Sequence, residues 1–396
     1  MSDETKASAT VSDYLRWRGD LTFAQDGFNE VDNLLLCIIS YIKLENIPRL
    51  RSFDPQDAMP MGDVCRLLTE EDEQLGLSTL DYIPLMRQAA ETPRFREVSL
   101  FAFESLHDED RQMQFAAVSF LLPDGSVYAA YRGTDMTIVG WQEDFNMSFL
   151  SAVPAQVKAA EYAGAVARAC PRRALRIGGH SKGGNLAAWA AVHLDEKLQR
   201  QRLIAAYNND GPGFSRDLVD TPSYQAVADR LFTYIPASSI VGVLLEHAED
   251  YEVVDSTARS IMQHEPLSWC VEGPRFVHLG QRSQLGQLSD GVLREWIGSM
   301  SPQEREQFSR AFFDILSRGG RTKTLEDLRS GGLAAGAALI REYAGADEEK
   351  KKIISEIFRR LAVDVKDELV KAAGAGVRRA GETILATGQA IADLRK

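Results

Sequence analysis

Between residues 30 and 47 the apolar side chains Val31, Leu34, Leu35, Ile38 and Ile39 recur at the three- and four-residue spacing of a helix with one buried face. Ahead of them, residues 11–23 carry Tyr14, Trp17 and Phe23 among charges, which reads as a segment docked through its aromatics. At Glu97 the period changes. Residues 98–103, 114–122 and 126–131 are rich in β-branched and aromatic side chains and predict three strands, with Pro123, Asp124 and Gly125 as a hairpin turn. An alanine-rich helix over 154–170, a short apolar strand over 174–177 and a helix over 185–194 follow. Further strands fit 203–207, 231–235 and 251–254. Strands alternating with helices in this way predict an α/β fold with a mainly parallel central sheet covered on both faces.

From Ser301 the pattern is helical. Residues 302–315 and 348–361 are amphipathic, with a stretch rich in Gly and Ala between them. Val370, Val377, Ile384 and Ile391 then recur every seven residues, with Ala373, Ala380, Thr387 and Leu394 at the intermediate seam position. Gly374, Gly376, Gly381 and Gly388 weaken an isolated helix there, so the tail reads as packed on its own domain. Self-association and membrane-surface contact through this C-terminal helix are the alternatives. The expected organisation is a disordered stretch over 1–10, an α/β domain over 11–300 that includes the N-terminal helical docking segment, and a helical C-terminal extension over 301–396.

Composition narrows the partners. With 45 basic and 57 acidic residues the net charge is -12, which repels phosphate backbones and argues against a nucleic-acid binder. Residues 1–10 are polar and lack the apolar core of a secretion signal, and no stretch approaches the roughly 18 apolar residues of a membrane span. The expectation is a cytoplasmic chain with no transmembrane segment. Cys37, Cys65, Cys170 and Cys270 are scattered through apolar surroundings without C-x-x-C spacing, so they read as reduced thiols, with neither a zinc site nor a disulfide frame implied.

The candidate chemistry centres on Gly179, His180, Ser181, Lys182 and Gly183. A G-x-S-x-G match arises by chance in roughly one chain in ten of this length, so its setting decides. Here Leu175, Arg176 and Ile177 supply a strand and Leu186, Ala187, Ala188 and Trp189 open a helix, the strand-turn-helix setting of a nucleophile elbow. A serine in such a strained turn projects its hydroxyl above the sheet, and the positions two before and two after it must be small because the backbone passes close. The following helix aims free N–H groups at the site, so the Lys182 amide can stabilise an oxyanion. His180 points away from the nucleophile's face and reads as a packed structural histidine, and the Lys182 ammonium as a solvent or salt-bridge group. A second oxyanion donor is expected at Thr134, where Gly133 lets the chain turn after the strand ending at Arg132.

In this order of elements the acid and then the histidine follow the serine. His193, on the helix after the elbow, reads as out of reach; His247, His264 and His278 remain, and His264 is the expected base because it lies in a loop after the last strand and before Pro266. Asp210, in the turn Asn208, Asn209, Asp210, Gly211, Pro212 after the strand over 203–207, is the expected acid, with Asp255 as the alternative.

Tyr131, Arg132, Gly133 and Thr134 with Trp141 and Asp144, followed by the run from Gly179 to Ala187, resemble the fungal-type (class 3) triacylglycerol lipases. More closely, the chain is similar to a lipase-like hydrolase family of bacteria formerly known only as a domain of unknown function. The segment 13–23, the run Phe28, Asn29, Glu30, Val31, Asp32, Asn33, and the stretches 236–245 and 264–269 share in that likeness, which spans about 11–330. It implies an α/β-hydrolase fold and an esterase or lipase activity; the serine chemistry requires no cofactor or metal, and an ester or lipid-like small molecule is the expected substrate. One departure stands out: where class 3 lipases keep their acid, after the strand over 231–235, this chain has Ser238 and Ser239. The turn at Asp210 instead resembles that of pancreatic-type lipases, whose acid follows the preceding strand. A hydrolase-fold scaffold without turnover, acting through its helical tail, and an acyltransferase are the competing expectations.

Overall fold

The computed structural model describes residues 8–69, 82–134, 138–147, 150, 152–239, 241–283, 299–318, 348, 351–353 and 355. The chain divides into two compact units: one comprises residues 1–108, 114–133 and 154–282, the other 109–113, 134–153 and 283–396. The second unit thus takes 109–113, 134–153 and 283–300 from within the 11–300 stretch.

Among the described residues of the first unit, the helices of seven residues or more that precede residue 99 are α1 (Val11–Arg18), α2 (Glu30–Ile39), α3 (Met61–Leu67) and α4 (Ile83–Glu91). The strands β1 (Met59–Pro60), β2 (Ser99–Asp108), β3 (Met113–Leu121), β4 (Val127–Tyr131), β5 (Leu175–His180), β6 (Leu203–Asn209), β7 (Leu231–Pro236), β8 (Tyr251–Val254), β9 (Val271–Glu272), β10 (Arg275–Phe276) and β11 (His278–Leu279) follow in chain order. The first eight strands, with β11 beyond β8, make one sheet in sequence order, and β9 pairs with β10 separately. From β4 to β8 every neighbour is parallel, whereas β1 on β2, β3 on β4 and β11 on β8 are antiparallel. The expected mainly parallel α/β sheet is the observed one.

Helices cover both faces because the central strands β3, β4 and β5 are buried on both sides. Tyr128 and Tyr131, three apart on β4, point to opposite faces. The Tyr128 hydroxyl donates to Asn33 Oδ1 of α2 at 2.6 Å, and the Tyr131 hydroxyl to the Ala159 carbonyl at 2.8 Å. Ala159 lies on the alanine-rich helix Pro154–Ala169, which packs beside the helix Lys182–His193. Alanines let these helices approach closely, and Ala163, Ala187, Ala188, Ala190 and Ala191 are wholly buried.

Asn29 caps α2 by accepting from Val31 N and Asp32 N, and Asp32 Oδ2 accepts from Asn29 N at 3.0 Å, a complete capping box. Asp32 also anchors the docking segment. Its carboxylate, wholly buried, takes the Tyr14 hydroxyl at 2.9 Å and a two-pronged guanidinium from Arg94 at 2.7 and 2.5 Å. The remaining Arg94 donors reach the carbonyls of Leu21, Asp26 and Gly27, so one buried cation ties the loop before α2 to the residues after α4.

Three expectations need correction. Residues 8–10 of the stretch expected to be disordered are ordered: Thr10 caps α1 with Asp13, and Ala9 O accepts from Val271 N at 2.8 Å; residues 1–7 lie outside the described residues. The helix expected over 30–47 ends at Ile39, where the apolar period also ends, because buried Arg132 takes the Ser40 and Ile42 carbonyls at 2.8 and 2.9 Å and holds that segment out of the helix. The helix after the elbow starts at Lys182 rather than at residue 185, its first turn being made of Gly183 and Gly184. The helices α3, α4 and Glu196–Arg202 are too short to leave a clear period in the sequence.

In the second unit, the helix Ile138–Asn146 packs on the helix Pro302–Arg318, the start of the expected tail. Phe145 meets Phe308 with ring centroids 5.3 Å apart, and Ser309 Oγ donates to Asn146 Oδ1 at 2.9 Å. The seven-residue seam over 370–394 lies outside the described residues. Among the described residues no helix is long and apolar enough to cross a membrane. Cys37, Cys170 and Cys270 are buried free thiols and Cys65 is half-buried.

Candidate active site

The carboxyl ends of the parallel strands are level: Tyr131 pairs with Gly179, His180 with Asn209, Asn209 with Tyr234, and Pro236 with Val254. Ligand sites of open α/β sheets lie just beyond such ends. β5 stops at His180 and the helix begins at Lys182, leaving Ser181 alone between them with φ +59° and ψ -134°. That is a backbone conformation costly for a residue with a Cβ and held only where the surroundings enforce it. The enforcing contacts are the Ser181 N–H, which donates to Asn209 O at 2.9 Å, and the Ser181 carbonyl, which accepts from Gly184 N at 2.9 Å. Gly179 and Gly183 are obligatory: a Cβ on the first would lie 2.1 Å from the Gly183 carbonyl, and one on the second 2.2 Å from the Tyr131 carbonyl.

Behind the turn lies a buried polar cluster. Asn33 Nδ2 donates to Asn209 Oδ1 at 2.8 Å, and Asn209 Nδ2 donates to the Gly179 carbonyl at 2.9 Å. Beside it, burial pushes the Cys37 thiol up to about 12, against the pull of its hydrogen bonds to Tyr128 and Asn209. The thiol is therefore an inert part of the packing.

Lys182 corrects the expectation of a solvent or salt-bridge group. It is 1% exposed, and its ammonium donates to the carbonyl and side-chain oxygen of Gln114 at 2.9 and 2.7 Å. Its amide is the first N–H of the helix that begins there.

Asp210 follows β6 at φ +54°, its amide bonded to Tyr234 O at 2.8 Å, and its side chain is wholly buried. Oδ2 meets His264 Nδ1 at 2.6 Å and accepts from Ser239 Oγ at 2.7 Å, while Oδ1 accepts from Gly242 N at 3.1 Å. A carboxylate only accepts, so His264 carries its proton on Nδ1 and its lone pair on Nε2. The imidazole is 29% exposed, at the end of the short 3-10 turn Ser260–His264. Gly211 packs on Ser181: a Cβ there would lie 2.3 Å from the serine's carbonyl. Among the described residues neither Ser181 Oγ nor His264 Nε2 has a hydrogen-bond partner; contacts of this kind commonly tighten only when substrate is bound.

The other candidates are committed elsewhere. Asp255 Oδ1 accepts from the neighbouring Ser256 amide at 2.8 Å, and its backbone pairs with Val277 and Cys270. His193 bonds to Trp189 O and stacks on that indole at 3.9 Å. His278 lies between Glu30 and Glu252 at 2.8 and 3.1 Å. His247 sits between Glu249 at 3.0 Å and the Gly242 carbonyl at 2.8 Å. Burial would raise the Glu249 carboxyl, but hydrogen bonds from His247, Thr233 and Tyr224 outweigh it and hold the group below the ordinary range. His180 is 4% exposed, bonded to Tyr41 and to the His264 backbone. Thr134, in the second unit, donates its hydroxyl proton to Asp144 of that unit.

Ser239 carries a signal in the sequence, a serine where class 3 lipases hold an acid, but nothing local marks it as a donor to Asp210. Tyr41 carried none, since an aromatic just past a helix end is ordinary core.

A parallel sheet with helices on both faces and a strained serine in the turn after its central strand is the architecture of an α/β-hydrolase. The chain belongs to the Mbeg1-like family, whose model matches residues 89–314. Among solved structures it is similar to the Rhizomucor miehei lipase propeptide complex, at 16% identity and a TM-score of 0.33 over 44% of this chain and 72% of that one. It is also similar to the crystal structure of M37 lipase, at 15% identity and a TM-score of 0.34 over 55% of this chain and 70% of that one. No curated protein matches it.

Proposed function

We propose that the chain is a serine hydrolase acting on carboxylic esters, with Ser181 as nucleophile, His264 as base and Asp210 as the acid that orients it. The observation that carries the reading is the His264–Asp210 contact of 2.6 Å beside an elbow serine held at φ +59°. Asp210 fixes the imidazole in the tautomer whose Nε2 is free to take a proton, and it offsets the charge that develops on the ring. Ser181 Oγ attacks the ester carbonyl while its proton passes to Nε2, and the Lys182 amide at the helix N-terminus receives the developing oxyanion. Collapse returns the proton to the leaving alcohol, and water then cleaves the acyl-serine by the same path.

The test is labelling with a fluorophosphonate, followed by hydrolysis of p-nitrophenyl esters of graded acyl length. Wild type labels and turns over, whereas Ser181→Ala does neither at an unchanged melting temperature. A folded chain that ignores the reagent and hydrolyses no ester removes the reading in favour of a scaffold without turnover. Transfer of the acyl group to an added alcohol faster than to water would move it to acyl transfer.

A further inference from the structure

The base sits on a turn that the main sheet does not hold. The 3-10 segment Ser260–His264 lies outside every strand, so side chains must fix where His264 stands. Three do so. Trp269 Nε1 donates to Gln263 O at 3.0 Å, Tyr82 donates to the Glu265 carboxylate at 3.0 Å, and His180 Nε2 meets the carbonyl of His264 itself at 2.8 Å.

The last contact differs from the others in where it starts. His180 is the residue before Ser181 and the last residue of β5, in the middle of the sheet. A carbonyl only accepts, so His180 carries its proton on Nε2, and its Nδ1 lone pair takes the Tyr41 hydroxyl at 2.9 Å. Tyr41 in turn lies against Gly133, where a Cβ would come within 2.1 Å of its hydroxyl. The His180 and His264 rings lie with centroids 4.6 Å apart. We propose that His180 is a positioning residue that sets the distance between nucleophile and base: one peptide bond ties it to Ser181, and one hydrogen bond ties it to the backbone of His264. This rests on the reading of Ser181 and His264 given above. Burial, aided by the nearby His264, holds the His180 imidazole well below the ordinary histidine range. The spacer therefore stays neutral and adds no like charge when His264 takes up a proton.

The test compares His180→Leu, which removes the donor, with His180→Gln, whose side-chain N–H falls near the same place, and with Tyr41→Phe, which frees Nδ1. Active sites are counted by fluorophosphonate titration, and kcat and KM are measured per titrated site on p-nitrophenyl acetate. For His180→Leu the expected loss in kcat is about 10- to 100-fold with KM nearly unchanged, the scale of a misplacement near 1 Å. His180→Gln should restore most of it, with Tyr41→Phe between the two. A merely structural histidine would lower the number of titrated sites and the melting temperature but not kcat per site, and that result overturns the inference. So does an equal loss in the Leu and Gln variants, or, should His180→Leu fail to fold, a Tyr41→Phe with wild-type kcat. Wild type that neither labels nor turns over removes the serine-hydrolase reading and this inference together; active wild type with an equally active His180→Leu removes the inference alone.

Discussion

Ser239 gives its hydroxyl proton to the same oxygen of Asp210 that faces His264, at 2.7 Å against 2.6 Å. The serine stands just past β7, where a class 3 lipase would hold the acid, while the carboxylate comes from the neighbouring strand end. Ser239→Ala should lower kcat about 10-fold without changing KM, the scale of one hydrogen bond to a charged group. Unchanged kcat on p-nitrophenyl butyrate would mean that Gly242 N alone holds the carboxylate.

Asp210→Asn keeps the shape of the turn and removes the charge that favours the imidazolium. It should lower kcat by about 10⁴, as the same exchange does in other triads, and Asp255→Asn should be mild because its carboxylate only closes its own turn. Melting curves belong beside the kinetics, since Asp210 holds a left-handed backbone that Asn tolerates nearly as well. The opposite ranking of the two variants would assign the acid to Asp255.

Breaking the buried pair of Asp32 and Arg94 tests the anchoring of the N-terminal segment rather than the chemistry. Asp32→Asn leaves a guanidinium buried without its counter-charge, which should cost about 3–5 kcal/mol of stability in urea unfolding. A loss under 1 kcal/mol would show that the carbonyls of Leu21, Asp26 and Gly27 suffice for the cation.

His278 gives the pH dependence a sign. Burial lowers its affinity for a proton, but hydrogen bonds to Glu30 and Glu252 outweigh that and raise it above the ordinary histidine value. Its contribution to stability is thus complete below an unfolded value of about 6.5 and fades as pH rises through the higher folded value. Wild type should melt above His278→Gln near pH 6, and the gap should close by pH 9 and shrink in high salt, because the group is partly exposed. A gap that widens toward alkaline pH would contradict the raised affinity.

The alternating strands and helices from residue 98 onward were legible because each long element buries one kind of face. The start of α2 and the strands β3, β4, β7 and β8 stand within a residue or two of where their patterns put them. β5 is longer than its apolar run since Gly178, Gly179 and His180 have no strand preference and are held in register by their neighbours β4 and β6. The end of α2 was hidden for a related reason: the group that stops it, Arg132, lies about 90 residues away. Ser181, Asp210 and His264 each stood out as a residue type in a turn of the right kind. What holds them, Asn209, Ser239, Gly242 and Tyr41, is ordinary in local sequence and acquires its role only through contacts across the sheet.

Those long spans carry a consequence for how the chain acquires reactivity during its synthesis. Asn33 waits 176 positions for Asn209, and His180 waits 84 for His264. Parallel strands with such distant partners pair late and slowly. On the triad proposed above, Ser181 leaves the ribosome before the loop that carries His264, and the serine should remain an ordinary hydroxyl through translation. In a pulse of synthesis, capture of a fluorophosphonate should lag behind the appearance of full-length chain, so the reagent reports the last long-range contacts of folding rather than the presence of the polypeptide.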